Sequence, residues 1–269
     1  MRVKFTFTAC TAALFVAPSA HAAATLVGAY GFNGSLASSV AGGPTLGVID
    51  PTGTSGFTTD TVFGTDRTVW SFNGDNVPTS WQSGLTFDAA GLLTSNSYSV
   101  AMTLKFNERQ GGWRRIMDVT GRQTDNGFYV DPGNDLAIYP VSSSGVAFNS
   151  GEYRNIVLTV SGDTVSAYAD GGLSFSTTTN SMAIGAFPLV FFADNVVGGG
   201  QGEWSSGSIA ALRLFDGVLS QAEIEELNRV PFVVSPPAVP EPATWAMMIG
   251  GLALVGAAMR ARRASVSFA

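Results

Sequence analysis

The chain has 269 residues, a formal net charge of −6, and only one cysteine and one histidine. This length is enough to build one sizeable hydrophobic core. The acidic balance and the absence of any long run of Lys or Arg argue against nucleic acid or an anionic lipid surface as a partner of the main domain.

The first 22 residues have the three-part layout of a secretory signal peptide. Two basic residues, Arg2 and Lys4, precede an apolar stretch over residues 5–17, and Ala20-His21-Ala22 supplies an A-x-A cleavage site. The apolar stretch is too short to span a bilayer. We therefore predict a signal peptide over residues 1–22 and an exported protein that begins at residue 23.

The predicted signal peptide contains the only cysteine, Cys10, and the only histidine, His21. The exported chain therefore lacks the groups for disulfides, thiol nucleophiles, Ser-His-Asp triads and imidazole zinc sites. Residues 23–239 carry 9 Arg or Lys and 19 Asp or Glu, so the formal charge of this part is −10. Such a domain depends on its hydrophobic core, and we expect it to bind no nucleic acid.

Most of the exported chain alternates between apolar and polar residues, as β-strands do. Turn pairs such as Asn33-Gly34 and Asn73-Gly74 separate the first strands. The predicted strands are residues 26–32, 68–72, 98–106, 115–119, 127–130, 136–139, 154–160, 164–168, 173–175, 188–192 and 209–215. Residues 35–61 are predicted to be mostly loop, with room for a short strand at 46–49.

One helix is predicted, at the end of the domain. Ser220-Gln221-Ala222-Glu223 is a capping box, and Ile224 and Leu227 follow on one face that can dock on a sheet. Residues 230–240 are rich in Pro and Val and predict an extended, semi-rigid stalk. About a dozen short strands and one short helix favour an all-β sandwich of two antiparallel sheets.

The C-terminal tail combines a Pro-Glu-Pro motif, an uncharged apolar run and a basic cluster. As a helix, the run over residues 243–259 would be about 26 Å long, close to the ~30 Å hydrocarbon core of a bilayer. Three arginines follow, and cationic residues beside a span stay on the cytoplasmic side. We therefore predict a transmembrane helix over residues 243–259, with the main domain on the outer side of the membrane.

This tail resembles the PEP-CTERM sorting signal of the PEPxxWA type. The residues that carry the resemblance are Val239, Pro240, Glu241, Pro242, Trp245, Arg260, Arg262 and Arg263. The resemblance covers residues 239–263 and implies a Gram-negative, exopolysaccharide-producing source, processing by exosortase, and delivery to the cell surface or the extracellular matrix. The alternative is an ordinary C-terminal anchor in which Pro-Glu-Pro is only a stiff spacer.

Three stretches of the exported domain resemble laminin-G-like, concanavalin A-like jelly rolls. Residues 153–171 resemble the central hairpin of that fold, residues 207–224 its closing strand and terminal helix, and residues 26–34 its opening strand. The resemblance implies a two-sheet antiparallel jelly-roll sandwich over residues 23–229. Because this fold carries lectins, adhesive modules, glycan hydrolases and structural domains, it assigns no activity by itself.

The glutamates do not follow the pattern of the glucanases that share this fold. Those enzymes carry Glu-x-Asp-x-Glu on one strand, which places two catalytic glutamates on one face of the sheet. None of the seven glutamates here has a second carboxylate two or four residues away on a predicted strand, and Glu223, Glu225 and Glu226 fall on the predicted helix. We therefore predict no catalytic residues and a protein that is not an enzyme.

Calcium is the one cofactor that the resemblance leaves open, since such sandwiches often hold Ca²⁺ at the rim through loop oxygens. The first set of candidate ligands is Asp194, Asn195 and Glu203. The second set is Asp131, Asn134 and Asp135. The alternative for both sets is that the side chains cap turns.

Three tryptophans in Gly- and Ser-rich stretches, Trp81, Trp113 and Trp204, are candidates for stacking on sugar rings. Arg114 and Arg115 follow Trp113 and would suit acidic sugars. The alternative is that each tryptophan packs at the edge of the sandwich.

Together these features predict a non-catalytic cell-surface or matrix protein whose jelly roll binds exopolysaccharide, another surface glycan or a protein. A carbohydrate-active enzyme on the same scaffold is one alternative, and a passive matrix protein without a small ligand is another. The absence of His, Cys and paired glutamates from the exported chain favours the hypothesis that the protein is not catalytic.

Overall fold

The structure is a computed structural model that describes residues 23–74, 82–93, 96–107, 112–197 and 202–232, together with residues 251, 254–256 and 259. The chain divides into two compact units, Ala23–Pro240 and the two termini, Met1–Ala22 with Glu241–Ala269. In the terminal unit, the five described residues are helical and exposed. Among the residues that the structure describes, no helix has the length and apolar character needed to cross a bilayer.

The predicted signal peptide, the stalk beyond residue 232 and most of the predicted span 243–259 lie outside the described residues. These three features therefore stay predictions.

This unit contains fifteen strands and one helix within its described residues. The strands are β1 (Thr25–Tyr30), β2 (Gly47–Ile49), β3 (Gly56–Val62), β4 (Thr65–Phe72), β5 (Gly84–Phe87), β6 (Ser97–Phe106), β7 (Arg114–Asp118), β8 (Gly127–Val130), β9 (Asp135–Tyr139), β10 (Ser142–Ala147), β11 (Arg154–Ser161), β12 (Thr164–Ala169), β13 (Gly172–Thr178), β14 (Leu189–Phe191) and β15 (Gly207–Asp216). The helix is α1 (Gln221–Arg229).

The strands form two antiparallel sheets. The first sheet has the order β13-β12-β11-β6-β15-β4-β3, and β1 pairs with β15 beside β4. One edge of β15 pairs with β6 along its whole length, while the other edge is shared by β4 near Gly207 and by β1 near Asp216. The second sheet has the order β10-β9-β8-β7-β14-β5-β2. The predicted all-β sandwich of two antiparallel sheets with one short helix is therefore confirmed.

The core lies between the two sheets and is built from alternate residues of their strands. Val100, Met102 and Leu104 of β6 and Leu212 and Leu214 of β15 all belong to it. Aromatic rings fill its centre, and Phe72 stacks on Phe192 with ring centroids 4.0 Å apart and planes 1° apart. A strand contributes only every second side chain to this core, so the remaining side chains lie on the outer faces of the sheets.

The outer face of the first sheet is covered in part by α1. The predicted capping box is present, since Ser220 N–H donates to Glu223 Oε2 at 2.7 Å and the Ser220 hydroxyl accepts from the Glu223 amide. Ile224 and Leu227 are buried against the outer face, as predicted. Below the helix end, the Arg213 guanidinium donates to the Pro231 carbonyl at 2.6 Å.

Three strands were not predicted from the sequence, and they are β3, β5 and β10. β5 has only four residues and begins with a glycine, so its signal is weak. β3 falls in the stretch predicted to be mostly loop, because its two apolar residues, Phe57 and Val62, are five positions apart and so break the period of two. Its four central residues include three threonines, which favour strands but give no apolar signal. β10 is made of small and polar residues and gives no signal either.

Candidate functional site

Strands β7, β8 and β9 are neighbours in the second sheet, and the candidate site lies on their outer face. Phe128, Leu136 and Ile138 point into the core. The residues that alternate with them, including Tyr129 and Tyr139, therefore point outward. The register pairs Arg115 with Tyr129, so this arginine is a direct neighbour of the outward tyrosine.

Three aromatic rings form a patch on this face, which we call the aromatic patch. Trp113 packs edge-to-face on Tyr129 and on Tyr139, with ring centroids 5.6 and 5.4 Å away. Tyr129 is fully buried, Trp113 is half-buried, and Tyr139 is 36% exposed. The patch thus has a buried base and an open edge, and edge-to-face packing holds its rings in place.

A charged cluster continues from the aromatic patch along the same face, and Arg115 is its centre. The Arg115 guanidinium lies over the Tyr129 ring, 4.8 Å from its centroid. It donates to Asp118 Oδ2 at 2.8 Å and to the Thr124 carbonyl at 3.1 Å, and it lies 3.3 Å from Asp194 Oδ1. Arg115, Asp118 and Asp194 are all fully buried. The cluster is therefore an internal ion-pair network.

Asp118 organises the loop that follows β7. Its carboxylate accepts from the backbone N–H groups of Thr120 and Arg122 at 2.9 and 2.8 Å, and from the Thr120 hydroxyl at 2.8 Å. These bonds hold a turn in which Arg122 adopts a positive φ of 66°. Arg122 Nε then donates to the Asp194 carbonyl at 2.5 Å, which ties this loop to the one that follows β14.

Asp194 and Asn195 hold the second loop of the cluster. Asp194 Oδ1 accepts from the Asn195 amide at 2.6 Å, and Asp194 Oδ2 accepts from the Glu203 amide at 3.2 Å. The Asn195 side chain donates through Nδ2 to Asp125 Oδ1 and accepts through Oδ1 from the Val197 amide at 3.2 Å. Asp125, Asp194 and Glu203 thereby converge on one point.

Glu203 is a carboxyl group of this cluster whose pKa departs strongly from its ordinary value. Burial, and then a hydrogen bond and charge repulsion from Asp194, raise the pKa of Glu203 to about 8. Its Oε2 lies 3.8 Å from the Arg115 guanidinium, and its side chain is 21% exposed. Glu203 therefore holds a proton at neutral pH.

The cluster has more negative than positive groups. The carboxylates are Asp118, Asp125, Asp194 and Glu203, and the cations are Arg115 and Arg122. Asp125, Asp194 and Glu203 each offer an oxygen within 4.8 Å of the others. Calcium–oxygen distances are about 2.3–2.6 Å, so this spacing fits one Ca²⁺. Arg115 already lies beside two of these carboxylates, Asp194 and Glu203. A cation that binds here must also displace the proton on Glu203, so the cation and the proton compete.

The second predicted calcium set forms a turn in the structure. Asp131 Oδ1 accepts from the Asp135 amide at 2.9 Å, and the Asp131 carbonyl accepts from the Asn134 amide at 2.9 Å. Asn134 Oδ1 accepts from the Arg114 guanidinium at 2.5 Å. These oxygens are therefore engaged in turn and side-chain hydrogen bonds, which matches the alternative given for this set.

The other predicted site residues have separate positions. Trp204 is half-buried in the loop before β15, and among the described residues the ring contacts of Trp113 are to Tyr129 and Tyr139. Trp81 and the sorting-motif residues Val239, Pro240, Glu241, Pro242, Trp245, Arg260, Arg262 and Arg263 lie outside the described residues.

The expectation that Arg114 and Arg115 would meet acidic sugars is wrong. Both guanidinium groups are buried and hydrogen-bonded within the domain, to Ser150 and Asn134 for Arg114 and to Asp118 for Arg115. Five residues of the site were missed: Asp118, Arg122, Asp125, Tyr129 and Tyr139. The alternation Phe128-Tyr129-Val130 could have indicated Tyr129, whereas nothing local to Asp125 indicates its partners.

The fold and this site define a lectin-like β-sandwich, with aromatic rings and carboxylates together on one outer face. The chain belongs to the concanavalin A-like lectin/glucanases superfamily, whose model matches residues 78–225. A second model, the PEP-CTERM protein-sorting motif, matches residues 238–263. Both resemblances drawn from the sequence are confirmed. The sorting motif indicates export, sorting to the cell envelope or surface, and processing by exosortase.

Solved structures with the same fold include several carbohydrate-related domains. Domain 4 of AbnA, a GH43 extracellular arabinanase from Geobacillus stearothermophilus solved with arabinotriose, has a TM-score of 0.57 and 18% identity, covering 77% of this chain and 99% of that one. A Trypanosoma rangeli sialidase in complex with 2,3-difluoro-KDN has a TM-score of 0.52 and 17% identity, covering 85% of this chain and 37% of that one.

A third similar structure is the binding domain of Paraclostridial Mosquitocidal Protein 1, with a TM-score of 0.51 and 13% identity, covering 77% of this chain and 52% of that one. At these identities the likeness establishes the fold alone. No curated protein sequence gives a significant match.

Proposed function

We propose that the exported domain is a non-catalytic module that binds a neutral glycan on the aromatic patch. The observation that carries this proposal is the open edge formed by Tyr139 and Trp113, fixed from below by buried Tyr129. Sugar rings present an apolar C–H face that packs on such side chains. The partly exposed carboxyl groups of Asp125 and Glu203 lie beyond Tyr129 and can accept or donate hydrogen bonds to sugar hydroxyls.

The charged cluster supports binding rather than turnover. Asp194 is fully buried, and Arg115 lies beside both Asp194 and Glu203. A glycosidase needs one ionised and one protonated carboxyl group that can both reach the scissile bond. Here Asp194, which lies beside Arg115, is fully buried, so its carboxylate cannot reach the scissile bond of a substrate.

A second candidate function, glycoside hydrolysis, is favoured by one observation. Glu203 holds a proton near neutral pH, as a general acid must, and Asp125 lies close to it with partial exposure. In that mechanism Glu203 would protonate the leaving oxygen and Asp125 would act as the second carboxylate. This function is less well supported because Arg115 and Asn195 already engage these side chains.

A paired binding and turnover assay tests the proposal. The protein is screened on a glycan array that includes arabinotriose, the ligand of the AbnA domain, and the same glycans are incubated with it and assayed for new reducing ends. We expect retained binding without release of reducing ends. The Trp113→Ala variant should lose at least tenfold in affinity, whereas Trp204→Ala should bind as the wild type does.

Two results would change the assignment. Reducing ends that disappear in Glu203→Gln would establish the hydrolase instead. Failure on every glycan, including whole exopolysaccharide, would favour a passive matrix protein.

For the C-terminal tail, we infer a Gram-negative envelope route. The helix predicted over residues 243–259 would anchor the protein in the inner membrane until exosortase processes the motif, and the domain would then reach the cell surface or the exopolysaccharide matrix. Mass spectrometry of the C-terminus of the native protein tests this route. A C-terminus near residue 242 is expected, and an intact C-terminus at Ala269 in surface-exposed protein would contradict it.

A further inference from the structure

A groove lies on the outer face of the first sheet, beside the end of α1. Its volume is about 510 Å³, and its lining includes Phe63, Arg67, Tyr153, Arg229 and Phe232. Phe63 contacts Phe232 with ring centroids 6.4 Å apart. Val62, Val69, Tyr153 and Ala210 form a small apolar floor against which Phe232 packs. The groove therefore combines an apolar floor with guanidinium groups, and it shares no residue with the aromatic patch.

Phe63 has a backbone conformation that its side chain does not favour. Val62 pairs with Thr65, so Phe63 and Gly64 form a two-residue hairpin loop, and their φ angles are 48° and 79°. Asn-Gly is the preferred pair for such a loop, and a bulky residue at positive φ is costly. Phe32 and Phe192 also have positive φ, but both are buried, so their packing offsets the cost.

Phe63 has less compensation, because it is 51% exposed and its ring contact is with Phe232 at 6.4 Å. An exposed, strained aromatic residue in place of Asn or Gly points to a role for the ring itself. The ring borders the groove, where it can pack on the apolar face of a ligand.

The charged residues that line the groove are Arg67, Arg229 and Asp170, and the Asp170 carboxylate pairs with Arg154 at 2.5 Å. Arg229 is paired with Glu226 at 2.6 Å, and the nearby Lys105 is paired with Asp60 at 2.5 Å. Within the described chain, no carboxylate lies within 4.0 Å of Arg67, whose guanidinium stacks on the Phe232 ring at 3.7 Å. Stacking occupies the face of a guanidinium and leaves its N–H edges free to bind a carboxylate.

From this geometry we propose that the groove binds a carboxylated saccharide such as a uronic acid oligomer. Arg67 pairs with the carboxylate through its N–H edge, while Phe63 and Phe232 pack on the sugar ring. The site is separate from the aromatic patch and binds a different class of sugar. A domain with binding sites on both outer faces would cross-link glycan chains.

The test uses trigalacturonic acid as the probe and its methyl ester as a neutral match with the same rings. Isothermal titration of the full chain at low ionic strength is expected to detect the acid, with at least tenfold weaker binding of the ester, since the ester cannot form the charge-assisted hydrogen bonds to Arg67. Arg67→Gln should weaken binding of the acid by a similar factor and abolish the preference for it. Equal affinity for acid and ester would overturn the proposal, as would no detectable binding at millimolar concentration.

Phe63→Asn separates a binding role from a structural one. Asn suits the positive φ, so the variant should keep or raise the melting temperature while losing about fivefold or more in affinity. A clear fall in melting temperature with unchanged affinity would instead make Phe63 a structural residue and overturn the proposal. Trp113→Ala should leave this binding unchanged, so failure at the aromatic patch and failure at this groove can be told apart.

Discussion

A buried arginine lies on the outer face of each sheet, and the positive charges of these two arginines are stabilised by different partners. Arg213, on the first sheet, donates to the carbonyls of Val230 and Pro231 at the end of α1, at 3.5 and 2.6 Å. Arg115, on the second sheet, lies among the carboxylates of Asp118, Asp194 and Glu203. Arg213 interacts with carbonyl groups at the C-terminal end of α1 and in the segment that follows it, whereas Arg115 interacts with the carboxylates of the charged cluster.

The consequences for charge are opposite. Burial lowers the pKa of Arg213 to about 10, so it remains charged at neutral pH. Within the described residues, its hydrogen-bond partners are the carbonyls of Val230 and Pro231. Around Arg115 the carboxylates outnumber the cations, and burial, followed by a hydrogen bond and repulsion from Asp194, raises the pKa of Glu203. The comparison indicates that the first face is built for stability, while the second keeps an excess of acceptor oxygens that stability alone would not require.

The largest expected effect is for Arg115→Leu. Removing this cation leaves Asp118 and Asp194 buried without their partner, which should cost about 3–5 kcal/mol of unfolding free energy. Chemical denaturation at pH 5 and pH 8 measures the loss. Arg154→Leu is the control, since its pair with Asp170 is partly exposed and should be worth no more than about 1 kcal/mol.

Arg213→Leu should have a smaller effect, about 1–3 kcal/mol, because it removes hydrogen bonds to carbonyls but strands no buried carboxylate. Its cost should not depend on pH between 5 and 8, since Arg213 is charged throughout that range. The same denaturation series checks this. A loss equal to that of Arg115→Leu would remove the contrast between the two faces.

Glu203 gives the clearest pH signature. Its pKa is raised in the folded protein, so its contribution to stability is fully present below the ordinary value of 4.5 and is lost as the pH rises toward 8. Glu203→Gln keeps the neutral form at every pH. We expect the variant to melt a few degrees above the wild type at pH 8 and at the same temperature at pH 4. Parallel melting curves at all pH values would contradict this origin of the raised pKa.

Calcium should produce the smallest effect. If Asp125, Asp194 and Glu203 accept Ca²⁺, the ion must displace the proton on Glu203, so the rise in melting temperature with added calcium should be larger at pH 8.5 than at pH 6. A chelator should reverse it, and Glu203→Gln should reduce it. No shift at either pH would leave Arg115, Arg122 and the proton as the complete charge balance of the cluster.

Local features were predictable from the sequence. The capping box needs only Ser220 and Glu223, three residues apart, and the hairpin from Arg154 to Ala169 needs only alternation around a Gly-containing turn. The sorting signal is also read from contiguous residues. In each case the physical cause lies within one short stretch of chain, so no knowledge of the fold is required.

The charged cluster was predictable only in part, because its members are far apart in sequence. Asp194 and Glu203 were identified as a pair, but Asp125 is about 70 residues away and meets them only because β7 and β14 are neighbours in the sheet. Arg115 looked like a surface cation, since the sequence does not reveal that carboxylates from two loops close over it. For the same reason Tyr129 and Tyr139 were not assigned to the patch with Trp113.

The most direct test of glycan binding on the second sheet is fluorine NMR of the full chain labelled with 5-fluorotryptophan. The five tryptophans give separate signals that variants can assign. On titration with the best glycan from the array, we expect the Trp113 signal to shift and the signal of Trp70, which is buried in the core, to stay in place. A Trp113 signal that does not move while saturable binding is measured in the same sample would contradict the account.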